Sequence, residues 1–293
     1  MLQNNIIHLI GYASGIAAGD SGCGEGPMTI QKSGIAGELN KLGWQVDWAT
    51  LTQPQAMPAL AATTKLCKQL ADITKNHIEN KQFFTVLGGD HSCAIGTWSG
   101  VARALDKQGP LGLLWFDAHM DSHTFETTKS GNIHGMPLAS LLGFGAPELT
   151  NISTAMPKLA PEHVCLIGVR SFESGEAELI QRLGVRVYFM EEIQQRGLDV
   201  VVQEALEKVK QGTAAFGISI DLDGIDPQDA PGVGTPELNG MSGVELVRSL
   251  QTLAVDPKLI AAEVVEYNPY HDKRYLTINL IHQLLFALLP RRI

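Results

Sequence analysis

Short apolar runs alternate with segments of helical periodicity along almost the whole chain, and this alternation limits the fold more than any other sequence feature. Several runs are apolar on both faces, which is typical of strands covered by helices on both sides of a sheet. We predict strands at Asn5–Ile10, Trp44–Ala49, Phe83–Leu87, Leu111–Phe116, His163–Gly168, Val185–Phe189, Ala215–Ile220 and Ala261–Val265.

The segments between these runs carry apolar residues at helical spacing. We predict helices at Pro58–Asn80, Glu176–Leu183, Val200–Lys210, Ser242–Ala254 and Arg274–Leu289, with Ser242 and Glu245 forming a capping box. No shift in composition marks a domain boundary. The sequence therefore predicts an α/β protein: one three-layer α/β/α domain over residues 1–293, with a mainly parallel sheet of about eight strands.

Charge and hydropathy exclude several classes of partner. The net charge of −9 argues against nucleic acid, because phosphate binding needs a basic surface. The longest apolar stretch, Ile278–Leu289, is too short to span a membrane. The N-terminus lacks the pattern of a signal peptide, and the four cysteines are scattered without a CxxC pair. We expect a cytoplasmic protein with neither nucleic acid nor a membrane as its partner.

Three predicted strands end in residues that ligate metals. Leu111–Phe116 leads into Asp117, His119 and Asp121, whose alternate spacing turns their side chains the same way in an extended chain. In parallel sheets, binding sites form beyond the carboxyl ends of the strands. These three side chains are therefore candidates for one site.

The other two strand ends add three more candidates. Ala215–Ile220 leads into Asp221 and Asp223, and Phe83–Leu87 leads into His91. A single strand-end aspartate is usually a turn former or a helix cap, and a single histidine is usually structural. Three such clusters behind three strands indicate a metal site instead, because so many carboxylates would repel one another without cations between them.

The ligand types favour manganese. The set has oxygen ligands with some imidazole and no thiolate, which suits Mn²⁺ and does not resemble a structural zinc site. These side chains are enough for two ions if some carboxylates bridge. A two-metal centre can activate a water as hydroxide near neutral pH, so the predicted reaction class is metal-assisted hydrolysis.

The motifs resemble those of the arginase/agmatinase (ureohydrolase) family over nearly the whole chain. The matching segments are Gly19–Pro27, Gly88–Ser92, Asp117–Asp121, Ser130–Gly135, Ser219–Pro227, Ala230–Pro236 and Glu263–Pro269. The resemblance implies two Mn²⁺ ions per chain and a trimer or hexamer of identical chains. One ion would take His91, Asp117, Asp121 and Asp221; the other would take His119, Asp117, Asp221 and Asp223, with Asp117 and Asp221 bridging.

The resemblance also implies a reaction and the residues that perform it. A metal-bridging hydroxide would attack the guanidinium carbon of L-arginine, giving L-ornithine and urea. Glu266 matches the carboxylate that clamps the guanidinium, and His134 matches a histidine that shuttles protons. Asp121 joins them as a catalytic residue as well as a metal ligand.

The part of the site that would hold the amino-acid end of the substrate departs from the family pattern. Thr128 and Ser130, with Asn132 in the same loop, match residues that bind the α-carboxylate. Glu173, with Glu176 behind it, matches the acidic position that accepts the α-ammonium, but the family usually has aspartate there. His123 stands where the family usually has asparagine. Both departures affect the predicted substrate preference.

Three alternatives remain open on the sequence. The chain could be an agmatinase or another guanidino-acid hydrolase. It could be a metal-binding sensor of guanidino compounds without activity, although His134 and Glu266 argue against this. It could also be a zinc deacylase on a similar α/β scaffold.

Overall fold

The computed structural model describes residues 5–289 and has one sheet of eight strands. Every pair of neighbouring strands in this sheet is parallel. The strands are β1 (Ile6–Ala13), β2 (Gln45–Thr52), β3 (Phe84–Gly88), β4 (Leu111–Phe116), β5 (Val164–Val169), β6 (Arg186–Phe189), β7 (Ala215–Asp221) and β8 (Leu259–Val265). The predicted fold class is confirmed.

The strand order places the functional strand ends side by side. The order across the sheet is β2-β1-β3-β8-β7-β4-β5-β6. The four middle strands are therefore β3, β8, β7 and β4, although they come from distant parts of the sequence. Since all are parallel, their carboxyl ends meet at one edge, where a parallel sheet forms its binding sites.

Helices cover both faces of the sheet. The α-helices of the described residues are α1 (Gly26–Lys32), α2 (Ile35–Lys41), α3 (Ala59–Glu79), α4 (Cys93–Leu105), α5 (Pro137–Leu141), α6 (Pro147–Thr150), α7 (Ser174–Leu183), α8 (Met190–Arg196), α9 (Leu198–Lys210), α10 (Gly243–Leu253) and α11 (Leu276–Ala287). Apolar residues of α1, α2 and α8–α11 form one buried cluster, and those of α3–α7 form the other. None of these helices is long and apolar enough to cross a membrane.

Helix α4 has no counterpart among the sequence predictions. Every residue from Cys93 to Val101 is buried, so most of the helix has no exposed polar face to mark it in the sequence. It packs closely on α3, because a Cβ atom at Gly100 would lie 2.1 Å from Thr74 Oγ1. This contact fixes α4, whose first turn directly follows the loop that carries His91.

The predicted capping box at α10 is wrong. Ser242 is the N-cap residue of α10, but its side chain makes no capping hydrogen bond. The Asp229 carboxylate accepts the first free N–H instead, from Gly243 at 2.8 Å. An aspartate 14 positions earlier in the chain therefore supplies the cap, which is outside the four-residue pattern of a capping box.

Candidate metal centre and active site

The carboxyl ends of the four middle strands bring the predicted ligands together. His91 follows β3, Asp117 follows β4, and Asp221 ends β7. Glu266 directly follows β8, which lies between β3 and β7. The sheet therefore gathers side chains from positions 91 to 266 around one point.

One group of candidate metal ligands is formed by His91, Asp117 and Asp221. His91 Nδ1 lies 3.0 Å from Asp221 Oδ2 and 3.4 Å from Asp117 Oδ2. All three residues are buried. Asp121 also approaches this group, because its Oδ2 lies 2.9 Å from the same His91 nitrogen.

A second group of candidate metal ligands is formed by Asp117, His119 and Asp223. His119 Nδ1 lies 3.2 Å from Asp223 Oδ2 and 3.5 Å from Asp117 Oδ1. Asp117 therefore turns one oxygen to each group, which is the arrangement of a bridging carboxylate. The second bridge expected at Asp221 stays a prediction.

Unpartnered atoms in this cluster fit divalent cations. His91 Nδ1 and Asp121 Oδ2 are buried, and neither makes a hydrogen bond to any described residue. Buried polar atoms normally have hydrogen-bond partners, so these two atoms, which lie 2.9 Å apart without one, need an explanation. A cation ligated by both satisfies them, and oxygen with imidazole is a donor set that Mn²⁺ accepts.

The electrostatics of the cluster also call for positive charge. Burial, together with Asp223 and Asp117, raises the pKa of Asp221 well above its usual value. Burial and the Asp117 charge raise the pKa of Asp121 to about 7. Burial alone would depress the pKa of His91, yet the surrounding carboxylates, Asp121 first, raise it well above the usual range. These carboxylates and the imidazole therefore favour their protonated forms when no cation is near. Metal cations would supply the same positive charge.

A buried hydrogen-bond chain holds His91 in place, and the sequence reading did not identify it. The Nε2 atom of His91 lies 2.9 Å from Ser219 Oγ, which donates to Glu263 Oε1 at 2.7 Å. Trp98 donates to the same carboxylate oxygen at 2.6 Å. Such partners orient a ligating imidazole and leave its other nitrogen for the metal. The available signal was a glutamate inside an otherwise apolar strand.

Arg170 supports the loop that carries Asp223, and it was also missed. Its guanidinium donates only to backbone carbonyls, among them Asp223 at 2.7 Å and Glu237 at 2.8 Å. It reaches further carbonyls at Gly168, Gly224 and Leu238. These bonds tie together three separate segments beneath the second group of ligands. No local sequence pattern predicts this role.

His134 and Glu266 form a pair beside the metal ligands. His134 Nδ1 lies 3.0 Å from Glu266 Oε1, and the same oxygen accepts the His91 N–H at 2.8 Å. Burial opposes charge on His134, but Glu266 outweighs it and raises the pKa of the imidazole to about 9. One oxygen of Glu266 is thus engaged, and Oε2 makes no hydrogen bond to the residues that the structure describes.

Backbone strain marks two of these residues. Asp121 has φ 49° and Glu266 has φ 67°, so both occupy the left-handed region that non-glycine residues avoid. Such strain costs of order 1–3 kcal/mol and persists where surrounding structure enforces it, often at functional sites. The strain sets where the two carboxylates are presented.

The loop expected to bind a carboxylate is exposed and carries two neighbouring hydroxyls. Thr128 Oγ1 and Ser130 Oγ lie 3.4 Å apart. The Ser130 hydroxyl accepts the Asn132 N–H at 3.2 Å, and Gly131 N–H donates to Thr128 Oγ1 at 3.1 Å. The structure brings the three predicted residues together on one turn.

The acidic residues expected at the ammonium position begin helix α7. Glu173 and Glu176 form a reciprocal capping box at its N-terminus. His123 Nε2 lies 3.4 Å from Glu176 Oε2 and 3.8 Å from Glu173 Oε2. His123 is joined to the His134 segment, because its N–H donates to the Gly135 carbonyl at 2.9 Å. The residues predicted for this end of the site therefore lie on neighbouring loops and at the start of α7.

Comparison with known proteins gives the same family as the motifs. A family model described as the arginase family matches residues 5–290. The arginase of Bacillus caldovelox is 38% identical and the match covers 98% of this chain and 99% of the relative. The crystal structure of arginase from Bacillus subtilis superposes with TM-score 0.90 at 37% identity, covering 98% of this chain and 99% of that one.

A more distant arginase has the same fold. The structure of Entamoeba histolytica arginase, solved in complex with L-ornithine, gives TM-score 0.90 at 29% identity and covers 98% of each chain. The segment that the family model matches includes every candidate ligand. The chain therefore belongs to the arginase family.

Proposed function

We propose that this chain is an arginase, which hydrolyses L-arginine to L-ornithine and urea with the help of two Mn²⁺ ions. The observation that carries the proposal is the placement of Asp117, whose two oxygens face two separate groups of candidate ligands. The family membership and the crystallised complex of a relative with L-ornithine support the same reaction.

The metal ligands in this proposal are the predicted ones. One ion would be held by His91, Asp117, Asp121 and Asp221, and the other by His119, Asp117, Asp221 and Asp223. The burial of all these residues except His119, and the unpartnered His91 Nδ1 and Asp121 Oδ2, support this assignment. When bound, two such ions supply Lewis acidity that lowers the pKa of water and makes a strong nucleophile available near neutral pH.

Two residues of the chain act on the guanidinium. Glu266 lies beside the metal ligands with Oε1 already engaged, so Oε2 is the oxygen that accepts a substrate N–H and orients the planar group. His134 is held at Nδ1 by Glu266, which leaves Nε2 to deliver a proton to the leaving amine. The C–N bond to the amine breaks, and water supplies the oxygen of urea.

The other end of the substrate is placed by the loop hydroxyls. Thr128, Ser130 and Asn132 offer donors on one turn, which suits the α-carboxylate of an amino acid. His123 lies at the start of this loop, where its Nδ1 is 3.0 Å from Thr127 Oγ1. Glu173 and Glu176 supply the acidic groups that an α-ammonium needs.

The test is a urea-release assay on purified protein across Mn²⁺, Co²⁺, Mg²⁺ and Zn²⁺, with L-arginine and agmatine as substrates. We expect the highest kcat/KM with L-arginine and Mn²⁺. Faster turnover of agmatine would make the chain an agmatinase. If no urea formed with any metal, the chain would be a metal-binding sensor of guanidino compounds without activity. One zinc per chain with deacylase activity would overturn the reaction class.

We also propose that residues 1–293 form one catalytic domain, in the cytoplasm, as part of a trimer or hexamer. A single sheet with helices on both faces supports the first point. All four cysteines are free and buried, as in a reducing compartment. Tyr275 and Leu276 are adjacent and exposed, as interface residues are in a monomer. Light scattering measures the assembly.

A further inference from the structure

Lys129 lies between the two hydroxyl residues of the carboxylate-binding loop and faces an acidic residue of the ammonium site. Its Nζ lies 3.2 Å from Glu173 Oε2. His123 Nε2 approaches the same oxygen to 3.8 Å. Glu173 is the residue expected to accept the α-ammonium of the substrate, so a cation of the protein already lies beside the carboxylate that the substrate would need.

The second acidic residue of this end is engaged as well. Glu176 Oε1 accepts the Ser122 N–H at 3.3 Å, and its Oε2 accepts the Glu173 N–H at 3.0 Å. His123 Nε2 lies 3.4 Å from that second oxygen. Glu176 is buried, so it has little room for another partner. An incoming ammonium therefore meets two carboxylates that the chain itself already occupies.

We infer that Lys129 is a specificity-determining residue that takes the place of the substrate's α-ammonium on Glu173. This inference rests on the proposed function and narrows its substrate class to ω-guanidino carboxylic acids. Among these, an α-amino group raises kcat/KM by less than it would in the absence of Lys129. An α-amino substrate must displace Lys129, whereas a substrate without that group leaves the pair intact. The Glu173 carboxylate keeps a cationic partner in both cases, which is the α-ammonium of the first substrate and Lys129 with the second.

The expected size of the effect follows from exposure. The Lys129 side chain is 81% exposed and that of Glu173 is 40% exposed. Ion pairs in such positions are weakened by solvent, so the displacement costs little. We expect Lys129 to change the preference between the two substrate types by about threefold to fivefold, which is measurable and does not abolish hydrolysis of L-arginine.

The experiment compares L-arginine with 5-guanidinopentanoate, which is the same molecule without the α-amino group. Urea release is measured with Mn²⁺-loaded wild type, Lys129→Met and Lys129→Ala. We expect the ratio of kcat/KM for L-arginine to that for 5-guanidinopentanoate to rise about threefold to fivefold in both variants. The change should lie mainly in KM, because the contact forms equally in the ground and transition states.

Lys107→Ala is the matched control, since Lys107 is also exposed but lies in the turn that follows helix α4, outside the loops of the substrate site. It should leave the ratio unchanged. A ratio that stays constant or falls in the Lys129 variants, while urea is still formed, would overturn this inference alone. If wild type releases no urea from either compound, the proposed function itself has failed.

Discussion

Asp117 occupies the central position among the individual side chains of the site. It is fully buried, it follows β4, which is one of the four middle strands, and its two oxygens face different imidazoles. Trp115 donates to Oδ2 at 2.8 Å, and the His119 N–H donates to Oδ1 at 2.7 Å. These bonds fix the carboxylate plane, so that neither oxygen can turn away from its group.

Substitution of this residue should remove both metal ions. In Asp117→Asn, the amide cannot bridge two cations, so we expect metal content to fall from about two ions per chain to nearly none. Asp223→Asn touches only the second group and should retain about one ion per chain. Metal analysis after gel filtration measures this. Equal metal loss in both variants would contradict the bridging role.

The His134–Glu266 pair predicts both a rate effect and a pH effect. His134→Asn should lower kcat by about 100-fold or more with little change in KM, since the lost proton transfer acts only in the transition state. In wild type, Glu266 raises the pKa of His134 to about 9, so the proton is present below that pH and lost above it. Cations nearby would lower this pKa.

The wild-type rate should therefore decline at or below pH 9 on the alkaline side. His134→Asn should lack this alkaline decline. The measurement is kcat from pH 6 to 10 with saturating L-arginine and constant free Mn²⁺. A variant with the same alkaline limb as wild type would show that another group titrates there.

Among the helices, α10 allows a test of which residue caps its N-terminus, Asp229 from the preceding loop or the N-cap residue Ser242. Asp229→Ala removes the carboxylate that accepts the Gly243 N–H, and it should destabilise the protein by about 1 kcal/mol. Ser242→Ala changes a side chain that makes no cap bond, so it should shift the free energy of unfolding by less than about 0.5 kcal/mol. Urea denaturation of both variants tests this. If Ser242→Ala destabilised the protein more than Asp229→Ala, the result would support the capping box that the sequence predicted.

The contact between helices α3 and α4 gives a second matched pair. Alanine favours helix over glycine by about 1 kcal/mol. In Gly37→Ala, where no atom lies within 4 Å of the added Cβ, this gain should appear as higher stability. In Gly100→Ala, the new Cβ would lie 2.2 Å from the Ala71 carbonyl oxygen, so overpacking should destabilise by about 1–3 kcal/mol.

Thermal or urea unfolding of these two alanine variants checks the pair. The two substitutions are chemically identical and both lie in helices, so intrinsic propensity cancels between them. Stabilisation at both positions would mean that the close approach of α3 and α4 is not needed.

At the scale of the whole molecule, the metal centre should also contribute to stability. The buried carboxylates repel one another, as the raised pKa values of Asp221 and Asp121 indicate. Cations that bind only the folded chain stabilise it by mass action, by about 2.7 kcal/mol at a hundredfold excess over Kd. We expect chelation to lower Tm by several degrees and Mn²⁺ to restore it.

Differential scanning calorimetry with and without chelator measures this shift. Asp117→Asn should show no response to chelator or Mn²⁺, since it lacks the bridging ligand. A wild-type Tm that does not depend on Mn²⁺ would mean that the cluster is stable without metal. It would also weaken the assignment of the centre.

The sequence alone determined the fold class and the candidate ligands, for a physical reason. Strand and helix periods are local, and in a parallel sheet the residues that follow buried strands must lie at one edge. His91, Asp117 and Asp221 could therefore be grouped without coordinates. The chemistry of carboxylate and imidazole then indicated the type of ion, and the family resemblance supplied the reaction.

Tertiary structure alone decided which groups pair across long separations. The order of the middle strands placed Glu263 behind His91, and it brought Glu266 to His134 across 132 positions. The tertiary structure also placed Asp229, and not Ser242, in position to cap α10, and it brought Lys129 within ion-pair distance of Glu173. These contacts depend on distances between segments far apart in the chain, and local periodicity carries no record of such distances.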